Sequence, residues 1–280
     1  MSATHSGHYP IERREGEIER LHVQGAAMAT DSEIMLDRIG VGPGWTCLDM
    51  GCGPGGITAL LSERVGKSGR VVGLDADPVF VEHARRHAPA NVEFVIGDAY
   101  HSDLPSGSFD LVHIRFVAST AGEPETLLRE AIRLARPGGT VALQEPDITT
   151  LNCYPPHQAW NRLKSALEGV FTSVGADVRL AQRLFPLMRY AGLEDVQYRP
   201  FLLGIRSSDP MVDYLPSTVE SLRSSIVERG LMAGSELDAT LADCRTHLRK
   251  PDTVFTTYTV AQVWGRTGVK SNAASVSRPL

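Results

Sequence analysis

Residues 47–61, CLDMGCGPGGITALL, set the acidic Asp49 at the end of an apolar run and then place Gly51, Gly53, Gly55 and Gly56 within six positions. A glycine turn between a strand and a helix lets a ligand approach the backbone closely, at the positive end of the helix dipole. The spacing fits two templates: Gly51, Gly53 and Gly56 match GxGxxG, and Asp49, Gly51, Gly53 and Gly55 match DxGxGxG. The glycines alone leave a purely structural turn as an alternative, so the acidic residues around them decide. Asp75 closes the next apolar run, 24 positions after Gly51, where a carboxylate accepts hydrogen bonds from both hydroxyls of a ribose. Its alternative is a helix cap, since Pro78 follows. Asp98, in IGDAY, falls at the end of a third apolar run, where it meets an adenine amino group. A carboxylate at 98 has no use for a pyrophosphate, and one at 49 repels it. The expected ligand is therefore a nucleoside without phosphates. A nicotinamide-dependent oxidoreductase reading the same glycines is the competing activity, and a catalytically silent binding protein of the same fold is a third reading.

The elements that hold these residues follow from periodicity. TCLDM, RVVGLD, VEFVIGD, FDLVHI and GTVALQE are short apolar runs, separated by helical patterns at about 55–65, 78–87 and 123–135. Alternating strands and helices predict a parallel, doubly wound α/β sheet covered on both faces. RPGG at 136–139 predicts a turn. Two helices precede the first strand, broken near Thr30–Ser32. Beyond Glu145 the pattern loosens into a Pro-rich loop, an amphipathic helix carrying Trp160, Leu163, Leu167 and Phe171, a helix near 178–190, a strand LEDVQYRPFLLGI, two helices between 210 and 248, and a last strand TVFTTYTVAQVW.

LDMGCGPGG, VVGLDADP, FVIGDAYHSDLPSGSFDLVHIRFV and LARPGGTVALQEPD together resemble the ordered motifs of class I S-adenosylmethionine-dependent methyltransferases. The resemblance covers about residues 40–147. It implies a seven-stranded, mostly parallel Rossmann-like sheet with helical cap insertions, and S-adenosyl-L-methionine as the cofactor. By that likeness Asp49, Gly51 and Gly53 cradle the methionine moiety, Asp75 takes the ribose with Ala76 beside it, and Asp98 and Ala99 take the adenine. It divides the chain into an arm with lid helices at 1–39, a cofactor-binding core at 40–147, a completion of the sheet at 148–266 with substrate-cap insertions at 148–175 and 207–250, and a flexible tail at 267–280. Relatives often carry a histidine where this chain has Ser119-Thr120, which removes a base from those positions.

Methyl transfer is an in-line displacement from an already activated sulfonium, so alignment and water exclusion carry most of the work. His113 is the candidate general base, with a hydrogen-bonded core histidine as its alternative. Arg115, two positions on, pairs with the methionine carboxylate or caps a helix. Tyr9, in HYPIE, stacks near the sulfonium if the arm folds over it; otherwise the arm is disordered. Gln24 contacts the cofactor or faces solvent. Asp147 and Glu145 orient an acceptor N–H or O–H, or cap a loop. Tyr154, Trp160, Phe171, Leu215 and Met232 are expected to line the acceptor pocket, and the covering insertions favour a small acceptor. Similarity to bacterial natural-product enzymes points to an electron-rich aromatic or heteroaromatic compound, phenol- or indole-like, of secondary metabolism.

Composition excludes other classes. Lys plus Arg number 28 against 33 Asp plus Glu, for a net charge of −5, and the basic residues are scattered, which disfavours nucleic acid. The four cysteines form no CxxC pair and no metal-ligand spacing, so no metal is expected and a reducing, cytoplasmic setting fits. No apolar stretch suits a membrane span or an export signal. A homodimer is left open.

Overall fold

The computed structural model describes residues 16–269. Two helices lead in, α1 (Glu17–Ala27) and α2 (Ala29–Ile39). The regular part follows as β1 (Thr46–Met50), α3 (Thr58–Val65), β2 (Arg70–Asp75), α4 (Pro78–Arg86), β3 (Val92–Ile96), β4 (Phe109–Arg115), α5 (Pro124–Leu134) and β5 (Ala135–Asp147). The remainder is β6 (Asn152–Tyr154), α6 (Gln158–Ser173), α7 (Leu180–Tyr190), β7 (Glu194–Phe201), β8 (Gly204–Arg206), α8 (Tyr214–Glu220), α9 (Arg223–Glu228), α10 (Gly234–Leu248), β9 (Val254–Thr256) and β10 (Thr259–Arg266).

Seven strands form one sheet in the order β3-β2-β1-β4-β5-β10-β7. The first five are parallel, and β10 enters antiparallel between β5 and β7. The order reverses beside β1, so the loops after β1 and β4 diverge and open a crevice at their carboxyl ends. α2 and α3 cover one face through Met35, Leu36 and Leu61 against Cys47, Leu111 and Trp264. α5 and α7 cover the other through Leu127, Leu128, Leu184 and Met188. Both faces are buried, which explains the unbroken apolar strands.

Six local expectations change. The two leading helices part at Met28 rather than near Thr30–Ser32, which lies inside α2, and three helices rather than two fill 210–248. The third helix starts at Thr58 rather than Gly55, because the glycines remain in the loop. Residues 136–139 belong to β5, where the register shifts from Phe109 opposite Ala135 to Leu111 opposite Thr140; RPGG makes a bulge instead of a turn. The two long late strands each break, into β7 and β8 and into β9 and β10, and the broken pieces join β6 in a second, three-stranded sheet. Thr257 marks the break: its N–H donates to the Leu203 carbonyl at 2.9 Å and its Oγ1 accepts from Leu203 N–H at 3.0 Å. Thr267 is ordered rather than loose, its hydroxyl donating to the Arg136 carbonyl at 2.6 Å; the tail from 270 lies outside the described residues. The second core is the cap, where α6, α8 and α10 close over Trp160, Leu163, Leu215 and Leu241. No helix among the described residues is long and apolar enough to cross a membrane.

Candidate active site

The glycine loop leaves β1 in a conformation that only glycine accepts at its first position. Gly51 has φ +78°, and a Cβ there would stand 2.3 Å from Val117 Cγ2. Its N–H and that of Cys52 donate to the Leu74 carbonyl at 2.7 and 3.0 Å, pinning the loop against β2. Gly53, at φ +55°, faces open space instead. Its N–H donates to Asp75 Oδ2 at 2.7 Å, and Asp75 Oδ1 accepts from the Asp77 N–H at 2.9 Å. Each oxygen of Asp75 thus keeps another lone pair for a ligand hydroxyl. Burial pushes the Asp75 carboxyl above its ordinary range, and the two N–H donors oppose that rise. The helix-capping role belongs to Asp77, which accepts from Val79 N–H and starts α4.

Asp49 lies beneath the loop, 2% exposed. Its Oδ1 accepts from His113 Nδ1 at 2.9 Å, and its Oδ2 is approached by the Ile57 N–H at 3.4 Å. It shapes the cradle from below, at the entry to α3. One strand beyond β2, Asp98 stands at the end of β3 with Ala99, both half-buried; its Oδ1 accepts from Tyr100 N–H at 2.8 Å. Ala76 is exposed at the end of β2. These residues, spread over fifty positions of sequence, share the carboxyl edge of three adjacent strands.

Among the candidates for chemistry, three are corrected by their surroundings. His113 is fully buried, with Nδ1 on Asp49 and Nε2 at 2.9 Å from Gln144 Nε2; no lone pair remains for an acceptor's proton, so it is the core histidine and not the base. Asp147 caps the 3-10 turn at Ile148–Thr150, taking hydrogen bonds from Thr149 N–H and Oγ1 and from Gln182 Nε2 at 2.7 Å. Its Oδ1 holds two of these donors and its Oδ2 the third, and the residue is 5% exposed, so its carboxylate serves the turn and α7. Gln24 is neither exposed nor free for a cofactor: its Nε2 donates to the hydroxyls of Tyr258 at 2.8 Å and Tyr214 at 3.3 Å, which are themselves 2.7 Å apart. Glu145 is buried under the turn after β4, accepting from the N–H groups of Ala118 and Ser119 at 3.0 and 3.1 Å. Burial pushes its carboxyl up to about 7 against those donors. Tyr9 lies outside the described residues.

Arg115 ends β4 with its guanidinium turned toward α1, and a Cβ on Gly25 would lie 3.6 Å from Nη2. It has no hydrogen-bond acceptor among the described residues. Burial lowers its pKa, with the Asp49 charge pulling the other way. The residue is half-buried, and a partly desolvated cation with no acceptor among the described residues leaves its N–H donors available to an anionic group. The next residue, Phe116, has φ +61°, a strained backbone for an aromatic side chain. Its ring meets Tyr258 edge-on at 5.7 Å, and Tyr258 meets Tyr214 at 5.8 Å. Sequence reading missed this trio; the signal was a tyrosine inside the break of the last strand. Of the expected acceptor lining, Trp160, Phe171, Leu215 and Met232 are packed in the cap core, and Tyr154 is 66% exposed on β6. Tyr214 also lines a cleft of about 370 Å³ between α1 and α8, walled further by Glu17, Arg20, Val23, Met211 and Ser217.

Residues 48–143 match the family described as a methyltransferase domain. An uncharacterized 37.1 kDa protein in transposon TN4556 of Streptomyces fradiae is 39% identical over 142 residues, covering 49% of this chain and 41% of that protein. A demethylmenaquinone methyltransferase of Anoxybacillus flavithermus is 31% identical over 186 residues, covering 61% of this chain and 78% of the relative. The chain thus spans less than half the length of the first relative and most of the second. In fold it is similar to phosphoethanolamine N-methyltransferase 2 of Haemonchus contortus, solved with phosphomonomethylethanolamine and S-adenosylhomocysteine: TM-score 0.52, 15% identity, covering 85% of this chain and 52% of that one.

Proposed function

From its place in the class I S-adenosylmethionine-dependent methyltransferase family, to which this chain belongs, we propose that it moves a methyl group to a small, electron-rich aromatic acceptor. When bound, the cofactor supplies a methyl group already activated on sulfur. The chain's own residues bind and aim it. Asp75 takes the ribose hydroxyls with Ala76 beside it, Gly51 and Gly53 admit the methionine moiety, Arg115 meets its carboxylate, and Asp98 with Ala99 receives the adenine. The observation that carries the reading is Asp75 fastened to the Gly53 N–H at 2.7 Å, which ties a ribose acceptor to a cradle lined by carboxylate rather than by phosphate-binding groups.

Alignment in a closed crevice contributes roughly 7–11 kcal/mol of barrier reduction to such a displacement. His113 and Glu145 are sealed from the crevice, so neither serves as a base; that suits an acceptor whose nucleophile is already electron-rich. The aromatic class is supported by the rings of Phe116, Tyr214 and Tyr258 around the end of β4, and by the likeness to an enzyme named for a quinone substrate. The acceptor enters by the cleft between α1 and α8, whose wall Tyr214 shares with that trio. The test is transfer of labelled methyl from the cofactor to a panel of naphthoquinols, phenols, indoles and carboxylic acids. Labelled quinol, phenol or indole is the expected product; label on the carboxylic acids alone overturns the aromatic assignment.

A further inference from the structure

Five adjacent strands each contribute a polar side chain to one row on the face under α2: Asp49 on β1, His113 on β4, Gln144 on β5, Gln262 on β10 and Arg199 on β7. Asp49 is paired with His113, Gln144 with Gln262, and Gln262 with Arg199 in the strand register; His113 and Gln144 are diagonal neighbours. Hydrogen bonds run unbroken along the row. Arg199 Nη1 donates to Gln262 Oε1 at 2.8 Å, Gln262 Nε2 donates to Gln144 Oε1 at 2.8 Å, Gln144 Nε2 meets His113 Nε2 at 2.9 Å, and His113 Nδ1 meets Asp49 Oδ1 at 2.9 Å. The row spans four strand gaps, about 19 Å.

Its direction is fixed at both ends. A guanidinium only donates and a carboxylate only accepts, so Gln262 must turn its oxygen to Arg199 and its amide to Gln144. A second lock acts there: Gln262 Nε2 also donates to the Asp31 carbonyl at 2.9 Å, and the Asp31 carboxylate balances Arg199 at 2.5 Å. Ser32 Oγ lies 3.3 Å from Gln144 Nε2 and 3.4 Å from its Oε1 and serves either polarity. Gln144 then has only its N–H to offer His113, whose Nε2 must accept and whose Nδ1 must carry the proton toward Asp49. One assignment satisfies every group, and all its bonds point the same way.

We propose that Gln144, Gln262 and Arg199 are positioning residues: a one-way hydrogen-bond relay from β7 to β1 that holds His113 as its Nδ1–H tautomer and so keeps Asp49 turned under the glycine loop. The effect on ligand affinity rests on the cofactor reading above; the tautomer does not. Asp49 spends one oxygen on the relay and directs the other to the first turn of α3, so a relay of wrong polarity disturbs the loop from below. The relay also ties α2, through Asp31 and Ser32, to the floor of the site.

The experiment is nitrogen-15 NMR of labelled histidine with calorimetric titration of S-adenosylhomocysteine, on the unaltered protein, Gln262→Glu and Gln262→Met. In the unaltered protein His113 shows a protonated Nδ1 and an unprotonated Nε2; a proton on Nε2, or a mixture, overturns the relay without any variant being needed. Gln262→Glu puts an obligate acceptor mid-row, so Gln144 must reverse and His113 must donate from Nε2 as well, with affinity falling about tenfold. Gln262→Met imposes no opposing polarity; Asp49 still commands Nδ1–H, and affinity falls by less than about threefold. A folded Gln262→Glu variant with unchanged tautomer and affinity overturns the proposal. If the unaltered protein shows the Nδ1–H tautomer but binds no S-adenosylhomocysteine, the cofactor reading fails and the relay stands.

Discussion

The floor of the glycine loop and the core of the cap are both buried, yet they handle polar atoms in opposite ways. Under the loop, Asp49, His113, Gln144 and Gln262 leave no buried side-chain atom without a partner, and each partner dictates the next. In the cap, Trp160 Nε1, His157 Nδ1, His247 Nδ1 and Asp213 Oδ1 are buried with no hydrogen-bond partner among the described residues. An unmatched buried group costs free energy and specifies little, whereas a closed network fixes one arrangement. The cap is therefore held by apolar packing among α6, α8 and α10, and the loop by directional bonds. A region that must place a ligand to within fractions of an ångström is built the second way.

Truncating the cap should show the largest effect on stability and the smallest on the site. Trp160 is buried against Phe255, with ring centroids 5.0 Å apart, and Trp160→Ala is expected to cost about 3–5 kcal/mol. Urea denaturation measures this, and cofactor affinity of the folded fraction should be unchanged; a parallel loss of affinity would erase the distinction between the two regions. At the loop the pattern reverses. Asp75→Ala removes charge-assisted hydrogen bonds of roughly 1.5–3 kcal/mol, lowering affinity for S-adenosylhomocysteine about 10- to 100-fold, with a much smaller shift in Tm. Equal affinity in the folded variant would take Asp75 out of the site.

A subtler effect concerns Glu145, whose carboxyl burial pushes up to about 7. A carboxyl that holds its proton more tightly folded than unfolded stabilises the fold fully below about pH 4.5 and gives that contribution up as pH climbs toward 7, by at most ~1.4 kcal/mol per unit. Glu145→Gln should therefore show a flatter fall in stability between pH 5 and 8 than the unaltered protein, read from urea midpoints across that range. Parallel slopes would mean that the N–H groups of Ala118 and Ser119 compensate the burial. The smallest effect is expected at the surface, where Glu125→Ala breaks its 2.9 Å pair with Arg183; exposed pairs are worth about 0–1 kcal/mol, and a larger loss in Tm would show that α5 and α7 depend on it.

The sheet and the acidic residues along its carboxyl edge were legible because they rest on local rules. Period and turn chemistry located β1 to β5, and the acids at 49, 75 and 98 fell at strand ends in a way that any parallel sheet brings together. The rest depended on partners far away in sequence. His113 and Asp147 have the residue types of catalytic groups, and only the side chains of Asp49, Gln144 and Gln182 show where their hydrogen bonds go. The second sheet was hidden because Thr257 and Leu203 pair across fifty residues inside runs that read as continuous strands. The relay did leave a trace: Asp49, His113, Gln144 and Gln262 stand two positions from the buried apolar Cys47, Leu111, Ala142 and Trp264 on the same strands, and so share their face. Such a residue, buried on a sheet covered on both faces, must have a partner, and several of them on neighbouring strands suggest one another.

The central claim is that the crevice after β1 takes a nucleoside sulfonium, not a phosphate-bearing dinucleotide. Calorimetric titration of the unaltered chain with S-adenosylhomocysteine and, separately, with the oxidised nicotinamide dinucleotide tests it most directly. The expected result is saturable binding of the first at one site per chain and no heat from the second. Binding of the dinucleotide alone would contradict it.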